Sequence, residues 1–351
     1  MNIQTALNNI ANRQDLSQND MADVMRSLMR GELTDAQIAA LMMGLRMKGE
    51  SIAEITAAAQ VMREFSHKID ASDVDYLVDI VGTGGDGQHL FNVSTASTFV
   101  MSAAGACVAK HGNRGVSSKS GSSDLLEKAD IRLDLNLAQT ERCLREMGIC
   151  FLFAPNHHPA MKYAIQPRRE LGLRSFFNLL GPLTNPAGVK RLVVGVFKAE
   201  LCRPLAEVLQ NLGAEQVMVV HSADGLDEIS LAETTHVAEL KDGQIHEWTL
   251  NPEDVGIQRQ SLDGLSVADA DESLALIKDA LSKKKTPIGE KAADMIALNA
   301  GAGLYVSGVC KDYAQGVALA QDILYGGQAI EKLSVFGEYC KTIKQYEQQG
   351  A

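Results

Sequence analysis

Glycines and small hydroxyl side chains crowd one stretch of this sequence, "DIVGTGGDGQHLFNVSTAS", residues 79–97. The glycines follow an apolar run that predicts a β-strand, and a glycine-rich turn there lets main-chain N–H groups approach a phosphate. The hydroxyl residues precede an apolar helical pattern, and a helix N-terminus presents unpaired N–H donors. The stretch matches neither the dinucleotide-binding nor the P-loop pattern. It favours a phosphate site of another kind, although a flexible loop and a simple N-cap at Ser94 use the same residue types.

A second segment, "VAKHGNRGVSSKSGSS" (residues 108–123), places cations and hydroxyl groups between glycines. The cations Lys110, Arg114 and Lys119 suit a phosphate-rich ligand. A solvated basic loop would have the same composition. Because the formal net charge of the chain is -11, a local cluster of cations favours the ligand interpretation.

Two adjacent carboxylates, Asp227 and Glu228, follow the apolar run "QVMVV" in "HSADGLDEIS". Mg²⁺ in proteins is held by one or two carboxylates together with substrate phosphates. An isolated acidic pair is usually surface charge. Beside two phosphate-binding loops, the pair predicts a magnesium site.

The segment "APNHHPAMKYAIQPRRELGLRSFFNLLGPLTNP" (residues 154–186) carries a further candidate. Pro167 is expected to bend or end a helix, so that Arg168 emerges just after it. Arginine pairs with a carboxylate through two parallel hydrogen bonds. A surface pair, Arg168 with Arg169, and a structural His158 are the alternatives.

The elements that position these residues fall into two patterns. Residues 1–67 contain helical segments opened by capping signals at Ser17, Thr34 and Ser51 and closed by glycines. From residue 76, short apolar runs alternate with helical patterns, which predicts a mostly parallel sheet flanked by helices. A hairpin is predicted at Asp242-Gly243. We therefore expect an α/β protein with a small all-helical domain, residues 1–70, joined by helices near residues 165–190, and a larger α/β domain, residues 71–351.

Composition excludes several classes of protein. The hydrophobic and charged fractions, 46% and 22%, are ordinary for a globular chain. The acidic balance argues against nucleic-acid binding. The six cysteines show no C-x-x-C spacing, and there is no apolar signal or membrane-spanning stretch. These features predict a cytoplasmic protein with reduced thiols.

Together, "GTGGDG", "FNVSTAS", "KHGNR", "SSKSGS", "GLDE" and "RRELGLRSFFNLLGPLTNP" resemble the anthranilate phosphoribosyltransferase family in order and spacing, over essentially the whole chain. The resemblance implies transfer of the phosphoribosyl group from 5-phosphoribosyl 1-diphosphate to the amine of anthranilate, a step of tryptophan biosynthesis. It also implies Mg²⁺, with two ions per monomer, and a homodimer joined through the helical domains.

The same resemblance assigns the site residues. The phosphoribosyl diphosphate residues would be Gly82, Gly85, Asp86, Asn92, Val93, Ser94, Thr95, Lys110, His111, Gly112, Asn113, Arg114, Ser117, Ser118 and Ser122. The anthranilate residues would be Gly82, Asn113, His158, Arg168 and Gly181. The metal ligands would be Ser94, Asp227 and Glu228. No catalytic nucleophile is assigned, because electrostatic stabilisation and positioning suffice for this displacement, and the sequence identifies no general base for the amine proton.

The sequence departs from the family pattern at Leu90 and Gly115, where a hydroxyl residue is usual, and at "EKADIRL". The first two departures could weaken phosphoribosyl affinity or loosen the loop. The main alternative function is that of a pyrimidine nucleoside phosphorylase. A second is a non-catalytic protein that binds nucleotides or nucleic acid, against which the acidic balance and the carboxylate pair count.

Overall fold

The computed structural model describes residues 1–84, 87–115 and 120–349, with the backbone alone for residues 344–349. The chain begins with a helical module made of α1 (Ile3–Ala11), α2 (Gln18–Met29), α3 (Asp35–Lys48) and α4 (Ile52–Glu64). The side chains of Ser17, Thr34 and Ser51 each accept a backbone N–H three residues later. The predicted capping signals are therefore confirmed.

A buried ion pair joins two helices of this module. Glu54 at the start of α4 accepts the Lys48 Nζ at 2.9 Å and the backbone N–H of Leu16 at 2.9 Å. Its side chain is 1% exposed, and that of Lys48 is 3% exposed. The carboxylate thus satisfies donors from two chain segments inside the helical core.

The second part of the chain is built on a seven-stranded sheet in the order β3-β2-β1-β4-β5-β6-β7. The strands are β1 (Leu77–Gly82), β2 (Cys107–Gly112), β3 (Ile149–Phe153), β4 (Arg191–Gly195), β5 (Gln216–Ser222), β6 (Thr235–Lys241) and β7 (Gln244–Leu250). Strands β1 to β5 run parallel to one another. Strands β6 and β7 extend the sheet beyond β5 with antiparallel pairing. β6 and β7 meet at Asp242 and Gly243, both with positive φ, as the hairpin prediction requires.

Helices pack on both halves of this sheet. They are α5 (Val93–Ala103), α6 (Ser122–Lys128), α7 (Leu137–Met147), α8 (Ala154–His157), α9 (Lys162–Leu171), α10 (Phe177–Leu180), α11 (Cys202–Asn211), α12 (Ala270–Leu281), α13 (Pro287–Ser307), α14 (Tyr313–Gly326) and α15 (Gln328–Gln349). α5 lies against β1 and β2, α13 against β1, β4 and β5, and α11 against β5 and β6. The predicted fold class is confirmed. Within the described ranges, no helix is long and apolar enough to cross a membrane.

Of the two alternatives predicted for Pro167, a bend or an end of its helix, the end is wrong. α9 passes through Pro167 and continues to Leu171, so Arg168 lies inside the helix. Proline has no N–H to donate within the helix, and α9 continues without that hydrogen bond. The helix ends instead at Gly172, which has the left-handed conformation. α9 packs against α3 of the helical module.

β1 and β2 separate halfway along their length. Their ladder consists of Leu77 with Cys107 and Val78 with Val108. Beyond that point β1 pairs with β4, and β2 pairs with β3. The chain leaves β1 toward β2 and β3 on one side, while β4 and β5 lie on the other. Such a switch point, at the carboxyl ends of parallel strands, is where open α/β sheets bind ligands.

Candidate active site

The glycines at the ends of β1 and β4 allow a very close approach by the loop after β5. The Gly84 N–H donates to Asp227 Oδ2 at 2.7 Å, and the Thr83 N–H donates to Gly195 O at 2.9 Å. A Cβ on Gly82 would lie 2.5 Å from Asp227 Oδ2, and one on Gly195 would collide with the Asp227 main chain. Glycine is required at both positions for Asp227 to reach this crevice.

The three predicted metal ligands come together here from two elements. The Ser94 N–H, in the first turn of α5, donates to Glu228 Oε1 at 3.2 Å. Asp227 is 9% exposed and Glu228 is partly buried. In the described part of the chain, no group of three His, Cys, Asp or Glu residues could hold a metal by itself. Two carboxylates and a hydroxyl, completed by phosphate oxygens, are a donor set that fits Mg²⁺.

The start of α5 is held by residues that the motif analysis did not single out. Asn92 Oδ1 accepts the hydroxyls of Ser120 at 2.9 Å and Ser273 at 2.8 Å. Asn92 is the N-cap, without a side-chain capping bond, so Ser94 is not the cap. Val93 is buried in the core, so it can offer a ligand only its main chain.

Thr95 is also buried, and its Oγ1 has no hydrogen-bond partner among the described residues. Unpaired buried hydroxyls are uncommon in folded proteins. The Thr95 hydroxyl lies one residue from the Ser94 amide that binds Glu228. It is thus an unsatisfied polar group in the first turn of α5.

Lys110 reaches back from β2 to β1. Its Nζ donates to Ile80 O at 2.7 Å and lies 3.4 Å from Ser94 Oγ. Burial lowers the pKa of Lys110, while the charges of Asp79 and Glu228 act in the opposite direction. The lysine is therefore fixed beside Ser94, one of the predicted metal ligands.

We define the arm as residues 113–115 and 120–128, which follow β2. Arg114 donates to both carboxylate oxygens of Glu127, at 2.6 and 2.7 Å, and these bonds raise its pKa. Asp124 accepts the N–H groups of Gly115 and Gly121 at 2.9 and 2.8 Å. The predicted Arg114 thus bonds to an acid of its own arm.

Ser122 folds the arm back on its own beginning, next to the end of β2. Ser122 Oγ donates to Asn113 O at 3.4 Å, and it lies where a Cβ on Gly112 would have to fit. The predicted residues Gly85, Asp86, Ser117 and Ser118 lie outside the described residues. The described part of the arm therefore brings Gly112, Asn113 and Ser122 together.

The predicted anthranilate residues His158 and Gly181 surround His111. The His111 Nδ1 lies 3.1 Å from Gly181 O, and the two imidazole rings are 5.2 Å apart. Burial lowers the pKa of His111 to about 3 and that of His158 to about 4. The Nε2 atoms of both rings are buried without a partner in the described part of the molecule. Both side chains are neutral at physiological pH.

Arg168 stacks over the Phe177 ring, 5.4 Å from its centroid, at the start of the helix that leads to Gly181. Burial lowers its pKa. Across the described ranges, its guanidinium has no ion pair. It is therefore a partly buried cation available for an anionic group.

Two site-supporting residues escaped the motif analysis. Asp79 and Asn185 are 0% and 3% exposed, and Asn185 Nδ2 donates to Asp79 Oδ2 at 2.8 Å. An acid inside the apolar run "YLVDIV" was the available signal for Asp79. Asn185 lies in the motif "RRELGLRSFFNLLGPLTNP", but it is 106 positions from Asp79, so nothing local indicates that the two side chains are partners.

A cavity of about 680 Å³ lies beside the arm. It is lined by Arg114, Glu127, Asp130, Ile131, Arg132, Leu133, Asp134, Phe153, Asn156 and Lys341. It shares Arg114 with the predicted site and contains none of the metal residues. Its cations are paired with its acids, which does not favour an anionic ligand.

The comparisons with known proteins agree with this geometry. The model of the glycosyl transferase family a/b domain matches residues 73–330, and that of the helical bundle domain matches residues 4–66. An anthranilate phosphoribosyltransferase of Acinetobacter baumannii (strain AYE) is 74% identical over 345 residues, 98% of this chain and 99% of the relative. This chain belongs to the anthranilate phosphoribosyltransferase family.

More distant members of the family agree as well. The Pseudomonas fluorescens (strain Pf0-1) protein of the same name is 60% identical, covering 98% of this chain and 99% of the relative. The Thermus thermophilus structure has a TM-score of 0.89 at 40% identity, covering 96% and 99% of the two chains. The Saccharomyces cerevisiae structure, in complex with PRPP and Mg, has a TM-score of 0.86 at 25% identity, covering 97% and 98%.

The family expected from the motifs is therefore confirmed. The alternative of a pyrimidine nucleoside phosphorylase is not supported by these relatives.

Proposed function

We propose that this protein transfers the phosphoribosyl group of 5-phosphoribosyl 1-diphosphate to the amine of anthranilate. The products are N-(5-phosphoribosyl)anthranilate and diphosphate, and the step belongs to tryptophan biosynthesis. The observation that carries the proposal is the convergence of the glycine turn, Ser94 and the Asp227–Glu228 pair at one crevice. A relative that is 74% identical to this chain is named anthranilate phosphoribosyltransferase.

In the reaction, the amine nitrogen attacks the anomeric carbon as the bond from that carbon to the diphosphate oxygen breaks. The amides of Thr83 and Gly84 hold Gly195 and Asp227 in place, and the Lys110 ammonium, beside Ser94, would stabilise the charge of the departing diphosphate. Magnesium ions held by Ser94, Asp227 and Glu228 would neutralise the charge that develops on it. The protein thus contributes by electrostatic stabilisation and alignment.

At the other end of the crevice, Arg168 would bind the carboxylate of anthranilate through paired hydrogen bonds. The imidazoles of His111 and His158 would line the path of the aromatic ring. His111 uses Nδ1 toward Gly181 O, and His158 bonds to the main chain of Thr184, so both Nε2 atoms are left as acceptors. A neutral acceptor suits an amine that must lose a proton after attack.

We also propose two Mg²⁺ ions per monomer and a homodimer joined through the helical domains. Met47 on α3, Ile165 on α9 and Leu173 just after α9 are 71%, 58% and 51% exposed, and α3 packs against α9. Large apolar side chains exposed on neighbouring elements are typical of an interface. Multi-angle light scattering of the wild type and of Met47→Glu with Ile165→Glu tests the dimer, which the double variant should dissociate.

The proposed domain division is residues 1–70 and 71–351, with residues 165–190 joining the two. The packing of α9 against α3 supports that joint. We further propose a cytoplasmic location, supported by six cysteines that are all free thiols.

The experiment that tests the function follows the loss of anthranilate fluorescence with phosphoribosyl diphosphate and Mg²⁺, against controls lacking each component. A loss of fluorescence that requires the protein, phosphoribosyl diphosphate and Mg²⁺ supports the proposal. Unchanged fluorescence in the complete mixture contradicts it. Phosphorolysis of thymidine and uridine is measured in parallel and should be absent.

A further inference from the structure

Side chains, and not main-chain pairing, bridge the carboxyl-terminal halves of β1 and β2. The ladder between them stops at Val78 and Val108, and each strand then pairs with its outer neighbour. Main-chain N–H and C=O groups that face the gap need other partners, because leaving them buried and unpaired is costly.

Three polar side chains supply these partners. Asp79 on β1 accepts the N–H of His111 at 3.3 Å. Asn185 Nδ2 donates to Ala109 O on β2 at 2.8 Å and to Asp79 Oδ2 at 2.8 Å. Lys110 Nζ donates to Ile80 O on β1 at 2.7 Å. We call Asp79, Lys110 and Asn185 the wedge.

The wedge is desolvated. Asp79 is 0% exposed, Asn185 3% and Lys110 4%. Burial raises the pKa of Asp79 to about 6, against the opposing effects of Lys110 and Asn185. An ionised carboxylate at a desolvated position destabilises the folded state. Continuous main-chain pairing between β1 and β2 would join these strands without that cost.

The wedge also lies directly beneath the two segments that the proposed function uses. β1 runs from Asp79 into the Gly82–Gly84 turn, and β2 runs from Lys110 into Asn113 and Arg114. Lys110 Nζ is 3.4 Å from Ser94 Oγ. The separation of the strands therefore sets the separation of the two phosphate-binding segments.

We propose that Asp79 and Asn185 are positioning residues that hold β1 and β2 apart at the width phosphoribosyl diphosphate requires. This inference rests on the proposed function, because it concerns the same site. Neither residue is expected to touch the substrate; both act through Lys110 and the main chain of β2.

The test measures the Kd of phosphoribosyl diphosphate with Mg²⁺ by isothermal titration calorimetry on the full chain, together with KM for anthranilate. Asp79→Asn keeps the side-chain size but replaces one acceptor oxygen by an NH₂ group, which must then face the His111 N–H or the Asn185 Nδ2 donor, and it removes the charge near Lys110. We expect Kd to rise about tenfold, with KM for anthranilate changed less than about twofold at saturating co-substrate.

Two further variants keep the test decisive if Asp79→Asn folds poorly. Asn185→Ser retains the carboxylate but loses both Nδ2 hydrogen bonds, and it should raise Kd in the same direction. Asn185→Asp keeps the side-chain size but sets a carboxylate against both Ala109 O and Asp79, so it should raise Kd at least as much as Asn185→Ser does.

Glu54→Gln is the matched control. Glu54 is also a buried carboxylate that accepts a lysine and two main-chain N–H groups, but it lies in the helical module. It should lower the free energy of unfolding without altering Kd. The inference is overturned if Asp79→Asn and Asn185→Ser also leave Kd within about twofold of wild type. Failure of the proposed function would instead appear as a wild-type protein that binds phosphoribosyl diphosphate but does not consume anthranilate.

Discussion

The metal end of the crevice and the arm beside it make their hydrogen bonds with different partners. At the metal end, residues distant in sequence bond to one another: Gly84 with Asp227, and Ser94 with Glu228. In the arm, Arg114 and Asp124 bond to groups of the arm itself. The metal end is therefore set by the folded core, whereas Arg114 would have to exchange Glu127 for a phosphate to serve the proposed reaction.

The largest expected effect tests whether the metal end, which the folded core sets, dominates catalysis. Replacing both Asp227 and Glu228 by Ala should lower kcat/KM by at least about 10³-fold and remove the dependence on Mg²⁺. Initial rates across a MgCl₂ titration measure both. Glu233→Gln, an exposed acid a few residues on, is the control and should match wild type. A double variant that still responds to Mg²⁺ would refute the metal assignment.

Arg168 differs from Arg114 because, among the described residues, it has no ion pair and is available for an anionic group. Arg168→Ala should raise KM for anthranilate by about 10- to 100-fold, the loss expected for a charge-assisted hydrogen-bonded pair, and leave KM for phosphoribosyl diphosphate nearly unchanged. Steady-state kinetics with each substrate varied in turn measure this. Arg169→Ala, exposed on the same helix, is the control. Equal weakening of both substrates would remove Arg168 from carboxylate recognition.

The burial of His158 makes the free energy of unfolding depend on pH. An unfolded histidine binds a proton below its usual pKa near 6.5, whereas burial lowers the pKa of His158 to about 4. Between these values the unfolded state binds more protons, so the free energy of unfolding should fall as pH falls. Between pH 7 and pH 5 the loss from His158 is about 2 kcal/mol.

Urea unfolding at the two pH values, with His158→Gln and wild type compared, measures this contribution. The variant should lose less stability on acidification. His246→Gln, on the exposed face of β7, should behave as wild type does. Identical acid sensitivity of His158→Gln and wild type would contradict the assignment.

The smallest effect concerns the arm. Glu127→Gln removes the acid that Arg114 must leave, so KM for phosphoribosyl diphosphate should fall by about two- to fivefold, the scale of a surface ion pair. Asp134→Asn breaks the nearby Arg132 pair and is the control. A higher KM in Glu127→Gln would show that the acid supports the bound form of the arm.

Much of the fold followed from local signals. The caps at Ser17, Thr34 and Ser51 and the alternation of apolar runs with helical patterns from residue 76 depend on neighbours in sequence, and the structure confirms both. Pro167 was misjudged because the end of α9 is decided by Gly172 and by packing on α3. Propensity is overridden where tertiary contacts compensate it.

The site was predictable to the extent that its residues share motifs. Asp79 and Asn185 were missed because their roles arise from a contact across 106 positions and from a gap between strands. The partner of Arg114 was missed for a similar reason, since Glu127 belongs to a helix that carries no motif residue beyond Ser122. Long-range polar pairs leave no periodic trace in a single sequence.

The contact between Gly195 and the Asp227 main chain limits how this protein can vary. Val194 and Val196 are fully buried, and exchanges between aliphatic side chains of similar volume are usually tolerated at such positions. At Gly195 even one extra carbon meets main chain, which cannot yield without moving the carboxylate beside it. In a saturation library selected for growth without tryptophan, position 195 should therefore return glycine alone, a restriction imposed by the main chain packed against it.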